Sequence, residues 1–366
     1  MIEQSLNALY ETYGYRKFKL TKFESYDLYA DNRDFLNSSQ LITFTDLDGS
    51  LLALKPDVTL SIIKSNSGGE EKVYYNETVY RPKNDHYREI PQTGIECIGN
   101  IDNYCEAEVI ALAVKSLRLV SGQISVRLSD AAFLSRMFDA MDLSPATRED
   151  VLWLFNKKNA AGLGILTEEG RLTRASEQTL KKLMDLYLPF QEGVQVLRGY
   201  AISNASAQEL DHLAELGRIL SAFGVEDSVY LDFSLVNSMD YYNGILFQGA
   251  VAEIPFTVLS GGRYDRLPQK MGKKVGAIGF AMYLDVVANY LQTPKNHDVD
   301  VLIYYDPETD TPEEMAKIME KTAETGKKVR SIRLDEREHM EHKVRAKQIC
   351  SMEEARNLLE KEGGKA

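Results

Sequence analysis

The chain has 366 residues, 44% of them hydrophobic, which is enough for two or three domains that each bury a core. No apolar run reaches the ~20 residues that a membrane-crossing helix needs, and Met1-Ile2-Glu3-Gln4-Ser5 lacks the basic segment and apolar core of a signal peptide. A formal net charge of −12 argues against a nucleic-acid surface, which is ordinarily basic, and Cys97, Cys105 and Cys350 are too few and too scattered for a disulfide framework or a zinc site. The expected compartment is a reducing cytoplasm.

Residues 1–15 carry Ile2, Leu6, Leu9 and Tyr10 at helical spacing and stop at Gly14, which predicts an amphipathic helix. A hairpin is expected over Ile42–Leu54, with Asp48-Gly49 as the turn between two apolar runs. Asp57-Val58-Thr59 then opens a helix through Ile63. Val73–Arg81 and Ile90–Ile98 read as an antiparallel pair around a polar loop, and Glu106–Leu117 shows a helical apolar stripe.

From Leu143 to Gly224 the pattern changes to consecutive helices. Ser144-Pro145 starts one, with a cap followed by proline at the first helical position. Ser206-Ala207-Gln208-Glu209 reads as a capping box, and Gly224 as a stop. Strands return at Val229–Leu235, Ile245–Val251 and Ala277–Met282, and a helix closes the region at Leu284–Leu291. After 294 the pattern is strand, helix, strand, helix: Val299–Tyr305, a helix capped by Thr311-Pro312 and ended by Gly326, Lys328–Leu334, and a helix capped by Ser351. The charged runs at 335–338 and 343–347 read as surface.

Two segments hold the chemistry. Leu235-Val236-Asn237-Ser238-Met239-Asp240-Tyr241-Tyr242-Asn243-Gly244 is followed by a glycine-rich loop, Leu259-Ser260-Gly261-Gly262-Arg263-Tyr264-Asp265. No Gly-Lys-Ser/Thr follows the paired glycines, so a P-loop is excluded. Taken singly, Asp57, Gln92 and Glu96 could be ordinary polar strand or turn residues, and Tyr242 and Tyr264 core aromatics. His339 and His342 have metal-compatible helical spacing but no third ligand nearby, which leaves a solvated helix face.

In combination these motifs resemble, in order and over residues 1–291, the class II core of histidyl-tRNA synthetases. The resemblance implies an α+β fold: a class II aminoacyl-tRNA synthetase-like antiparallel sheet core with flanking helices, an inserted helical subdomain and a small C-terminal α/β tail. The expected divisions are 1–142 and 225–293 for the core, 143–224 for the insertion and 298–366 for the tail. It also implies a histidine-binding site. Asp57 and Thr59, in Lys55-Pro56-Asp57-Val58-Thr59, and Gln92 would hold the ammonium group, while Glu96 would face the imidazole between Tyr242 and Tyr264. A carboxylate opposite a tyrosine hydroxyl suits a ring with a nitrogen at each end.

The departures from the family are equally informative. Asn237 and Val286 stand where the family carries arginines that serve phosphate chemistry, and neither supplies a permanent charge with a planar fork of donors. Motif 2 retains Arg81, a candidate partner for the ligand carboxylate, but Lys83 replaces the acid that helps recognise adenine. Thr21 stands where motif 1 usually has proline. The tail from Asp298 is too short for a full anticodon-binding domain.

A synthetase core with these losses is similar to the regulatory subunits of short-form ATP phosphoribosyltransferase, which act in the first step of histidine biosynthesis. That likeness implies a non-catalytic protein without cofactor or metal, a homodimer within a hetero-oligomer with the catalytic subunit, histidine as feedback effector, and no nucleic-acid or membrane partner. The rival readings are a divergent histidyl-tRNA synthetase and a free-standing histidine sensor.

Overall fold

The computed structural model describes residues 2–36, 41–83, 86–200, 203–236, 242–291, 297–337 and 343–363. Asn237, His339 and His342 lie outside these residues. The chain forms two compact units, Met1–Leu291 and Gln292–Ala366.

In the first unit, helix α1 (Ile2–Thr12) buries Leu6 and Tyr10 and ends before Gly14, whose φ of +81° suits glycine. Strands β1 (Arg16–Lys17) and β2 (Phe23–Ser25) and helix α2 (Tyr26–Ala30) precede the expected hairpin, β3 (Thr43–Thr45) and β4 (Leu51–Leu54). Gly49 holds φ +88° in the turn. β4 pairs with both β2 and β3 in a small antiparallel sheet. Helix α3 (Thr59–Ser65) follows, and then the long hairpin β5 (Glu71–Lys83) and β6 (His86–Gly99), whose strands outrun the expected lengths at both ends.

Helix α4 (Asn103–Arg118) is capped by Asp102, whose side chain accepts from the Cys105 amide at 2.8 Å. Strand β7 (Ile124–Asp130) follows Ser121-Gly122, and helix α5 (Ala131–Ala140) is capped by Asp130, whose side chain accepts from the Ala132 and Phe133 amides. Then come α6 (Pro145–Asn156), α7 (Ala160–Glu168), α8 (Arg174–Asp185), the short strand β8 (Tyr187–Pro189), α9 (Phe190–Leu197) and α10 (Asn204–Ala222). The expected capping box at Ser206 sits three residues late. Ser203 is the cap: its hydroxyl accepts from the Ser206 amide, and the Ser206 hydroxyl returns to the Ser203 amide, each at 3.1 Å.

The unit closes with β9 (Val229–Asp232), β10 (Ile245–Val251), β11 (Leu259–Arg263), α11 (Arg266–Lys270), β12 (Gly276–Tyr283) and α12 (Leu284–Leu291). The expected glycine-rich loop at 259–265 is therefore largely a strand. Its glycines serve close packing: a Cβ on Gly261 would sit 2.3 Å from the Gly279 carbonyl oxygen.

Nine strands form one sheet in the order β1-β5-β6-β12-β11-β10-β7-β9-β8, antiparallel except for the β1–β5 and β7–β9 pairs. On its helix-covered face Ile95, Cys97, Val126, Leu128, Phe247, Ile278 and Phe280 join the core built with α4 and the helices from α5 to α10. The alternation of strand side chains turns Gln92, Gly94 and Glu96 of β6 to the opposite face. There α3, Tyr29 and Phe35 form a second, smaller core.

The second unit is a three-stranded parallel sheet of β13 (Val299–Tyr305), β14 (Val329–Arg333) and β15 (Ala346–Ser351), with helices α13 (Pro312–Glu324) and α14 (Met352–Gly363). β15 corrects the expected order of elements. Its exposed Lys347, Gln348 and Ile349 hide the strand in the sequence, while Cys350 turns into the core against α13 and α14.

Candidate functional site

The second face of the sheet holds a cavity whose lining is mostly polar. Asp57, Thr59, Arg81, Gln92, Glu96, Tyr242 and Tyr264, seven residues that span 57 to 264 in the sequence, all line it. The register brings three strands together as its floor: Glu96 of β6 opposes Gly279 of β12, which opposes Gly262 of β11.

Glu96 is the deep end of the cavity. Thr59 Oγ1 donates to its Oε1 at 2.6 Å, and the Tyr264 hydroxyl donates to its Oε2. Burial pushes the Glu96 carboxyl up to about 8, against the opposing pull of these two hydrogen bonds, and the nearby Asp57 adds to the rise. An acid held neutral by burial ionises when a cationic ring is placed against it, so Glu96 can answer to an imidazole or imidazolium.

The space for Glu96 depends on Gly279, where a Cβ would stand 1.9 Å from Glu96 Oε2 and 2.3 Å from the Ile95 carbonyl oxygen. Gly262 plays the same part for Tyr242, whose ring would lie 2.6 Å from a Cβ there.

At the other end, the segment 55–59 is pinned to β5. Lys55 is fully buried and reaches Glu77 Oε2 at 2.9 Å, while Glu77 Oε1 accepts the Leu20 amide at 3.0 Å. Arg81 donates from Nε to the Pro56 carbonyl at 2.6 Å and faces Asp57 Oδ2 at 3.6 Å. Burial raises the Asp57 carboxyl, and the Arg81 guanidinium opposes the rise. Asp57 Oδ1 also accepts the Leu60 amide at 2.9 Å, which anchors the first turn of α3. The side-chain amide nitrogen of Gln92 is buried with no hydrogen-bond partner among the described residues.

Sequence reasoning missed Tyr75, Ser260 and Tyr283 in the same wall. They became visible only with the strand register, which sets Tyr75 opposite Gly94, Ser260 opposite Ala281 and Tyr283 opposite Gln92.

A second cavity adjoins the first and is largely apolar, lined by Ile90, Ile254, Phe256, Val286 and Tyr290 together with Arg81, Glu253 and Asp285. Arg81 is its single cation among the described lining residues. Among the described residues no group of three His, Cys, Asp or Glu side chains could hold a metal ion, and no helix is long and apolar enough to cross a membrane.

The family model described as Histidyl-tRNA synthetase matches residues 1–287. A protein from Acetivibrio thermocellus named ATP phosphoribosyltransferase regulatory subunit is 25% identical over 318 residues, covering 83% of this chain and 76% of that protein. Among solved structures, the ATP phosphoribosyltransferase regulatory subunit/histidyl-tRNA synthetase from Bacillus halodurans C superposes with a TM-score of 0.78 at 22% identity, covering 96% of this chain and 92% of that one. A chain of the ATP phosphoribosyl transferase (HisG:HisZ) complex from Thermotoga maritima superposes with a TM-score of 0.61 at 17% identity, over 77% and 96% of the two chains. The α+β synthetase-like fold expected from the motifs is the fold found.

Proposed function

The chain belongs to the histidyl-tRNA synthetase family, and from that premise we propose that it is the regulatory subunit of ATP phosphoribosyltransferase, with histidine as its effector. The observation that carries the reading is the contrast between the two adjoining cavities. The amino-acid side holds all seven predicted residues, Glu96 among them, while the side that would hold a triphosphate keeps Arg81 as its single cation among the described lining residues.

Charge in an in-line attack on a phosphate must be offset by fixed cations and donors. Val286 supplies neither, and Glu253 and Asp285 place acids in the wall where phosphates would lie. The protein therefore binds an amino acid without adenylating it, and it has no aminoacylation activity of its own.

In the bound state the imidazole meets Glu96 and Tyr264, the ammonium group meets Asp57, Thr59 and Gln92, and the carboxylate turns to Arg81. Feedback follows from linkage: histidine favours one state of the assembly, and by reciprocity that state binds the substrates less well. A coupling of about 1–3 kcal/mol is sufficient. The assembly pairs the catalytic subunit with a homodimer of this chain and works in the cytoplasm without nucleic acid. Residues 143–224 act as an inserted subdomain between the core segments 1–142 and 225–293, and 298–366 as a small α/β domain. The partner reading is supported by the relative named ATP phosphoribosyltransferase regulatory subunit; the dimer is supported by the outer face of the β2–β4–β3 sheet, where Phe23 is 44% and Phe44 39% exposed.

The test is phosphoribosyltransferase activity of a short-form catalytic subunit, with and without this protein and with histidine titrated in. Activation by the protein together with inhibition by histidine is expected, as is no histidine-dependent ATP–pyrophosphate exchange by the protein alone. No effect and no co-elution of the two proteins would leave a free-standing sensor; pyrophosphate exchange would leave a divergent synthetase.

A further inference from the structure

We infer that Tyr283 is a specificity-determining residue: it partitions the amino-acid cavity from the apolar cavity beyond and restricts the ligand to a free amino acid. The inference rests on the reading that the polar cavity takes histidine.

Among the described residues only Arg81 and Tyr283 line both cavities. Along β6 the acid Glu96 and the amide Gln92 are four residues apart, about 13 Å of strand, and β12 runs beside them so that Gly279 faces Glu96 and Tyr283 faces Gln92. A histidine with its ring at Glu96 therefore points its carboxyl end at Arg81 and Tyr283.

The Tyr283 side chain is held in place. Its hydroxyl and that of Ser260 are hydrogen-bonded at 2.7 Å, and its backbone amide donates to the Val258 carbonyl at 2.8 Å. Room is not what limits a ligand past this point. The second cavity is the roomier of the two, between Ile254, Phe256, Val286 and Tyr290. A substituent on the ligand carboxyl would find space and apolar surface there, but the Tyr283 ring stands in its path.

The test compares binding of L-histidine, L-histidinamide and L-histidine benzylamide by calorimetry. The two amides share the loss of the carboxylate charge, so their ratio reads bulk alone. Wild-type protein is expected to prefer histidinamide over the benzylamide by about tenfold or more, the scale of discrimination a fixed pocket wall provides. Tyr283→Ala brings the ratio close to one, whereas Tyr283→Phe, which keeps the ring, stays selective. If the alanine variant does not fold, Tyr283→Leu carries the same comparison. Equal binding of both amides by wild type, or a Tyr283→Ala variant as selective as wild type, overturns the partition alone. Wild-type protein that binds neither histidine nor its amide overturns the histidine reading and this inference with it.

Discussion

At the residue scale, Glu96 decides what the cavity can bind. Its carboxyl receives hydroxyls from Thr59 and Tyr264, yet burial raises it to about 8. A carboxyl raised in the folded state binds its proton more tightly there than in the unfolded chain. Its contribution to stability is therefore fully present below the ordinary carboxyl range near 4.5, falls as pH rises from there, and stops falling above about 8. Glu96→Gln, which cannot ionise, should show a shallower loss of thermal stability between those limits. A wild-type and a variant curve of equal slope would show that Glu96 is already ionised in the fold. Equilibrium dialysis should show histidine affinity falling about tenfold or more in Glu96→Ala, the scale for a lost charge-assisted contact. Unchanged binding would move the effector to another site.

At the element scale, the pocket exists because strands with glycine at chosen positions leave room above the sheet. Gly262 and Gly279 face each other across β11 and β12, under Tyr242 and Glu96. Gly279→Ala would press a methyl group into the Glu96 carboxylate and the Ile95 carbonyl. Overpacking of this kind costs about 1–3 kcal/mol. The variant should melt earlier in a thermal scan and lose histidine binding; a variant that keeps both would mean β6 and β12 can part without cost. Helices and turns were the more legible elements. Ser144-Pro145, Thr311-Pro312 and Asp48-Gly49 mark their positions through local chemistry, and each cap or turn is found where those residues stand. The short strands β8, β11 and β15 were less legible, because a strand of three to six residues is fixed by its neighbours and not by its own pattern.

At the scale of the whole molecule, a small antiparallel sheet turns Phe23 and Phe44 outward, their rings in edge-to-face contact at 5.5 Å. If this face joins two copies, Phe44→Asp should lower the mass measured by light scattering from dimer to monomer, and a dimer that survives would place the interface elsewhere. The sequence by itself determined the family, the order of motifs, the seven candidate ligand residues and the loss of charge at Val286, because residue identity is what carries chemistry. The strand register and the partition at Tyr283 were decided by tertiary structure alone. Tyr283 is the clearest case. In the sequence it is one of twenty tyrosines; in the fold, pairing with Gln92 and a hydrogen bond to Ser260 set it between two cavities. Sheet pairing joins residues far apart in the chain, and a one-residue slip would send every side chain to the opposite face, so no local pattern can reveal which residues meet.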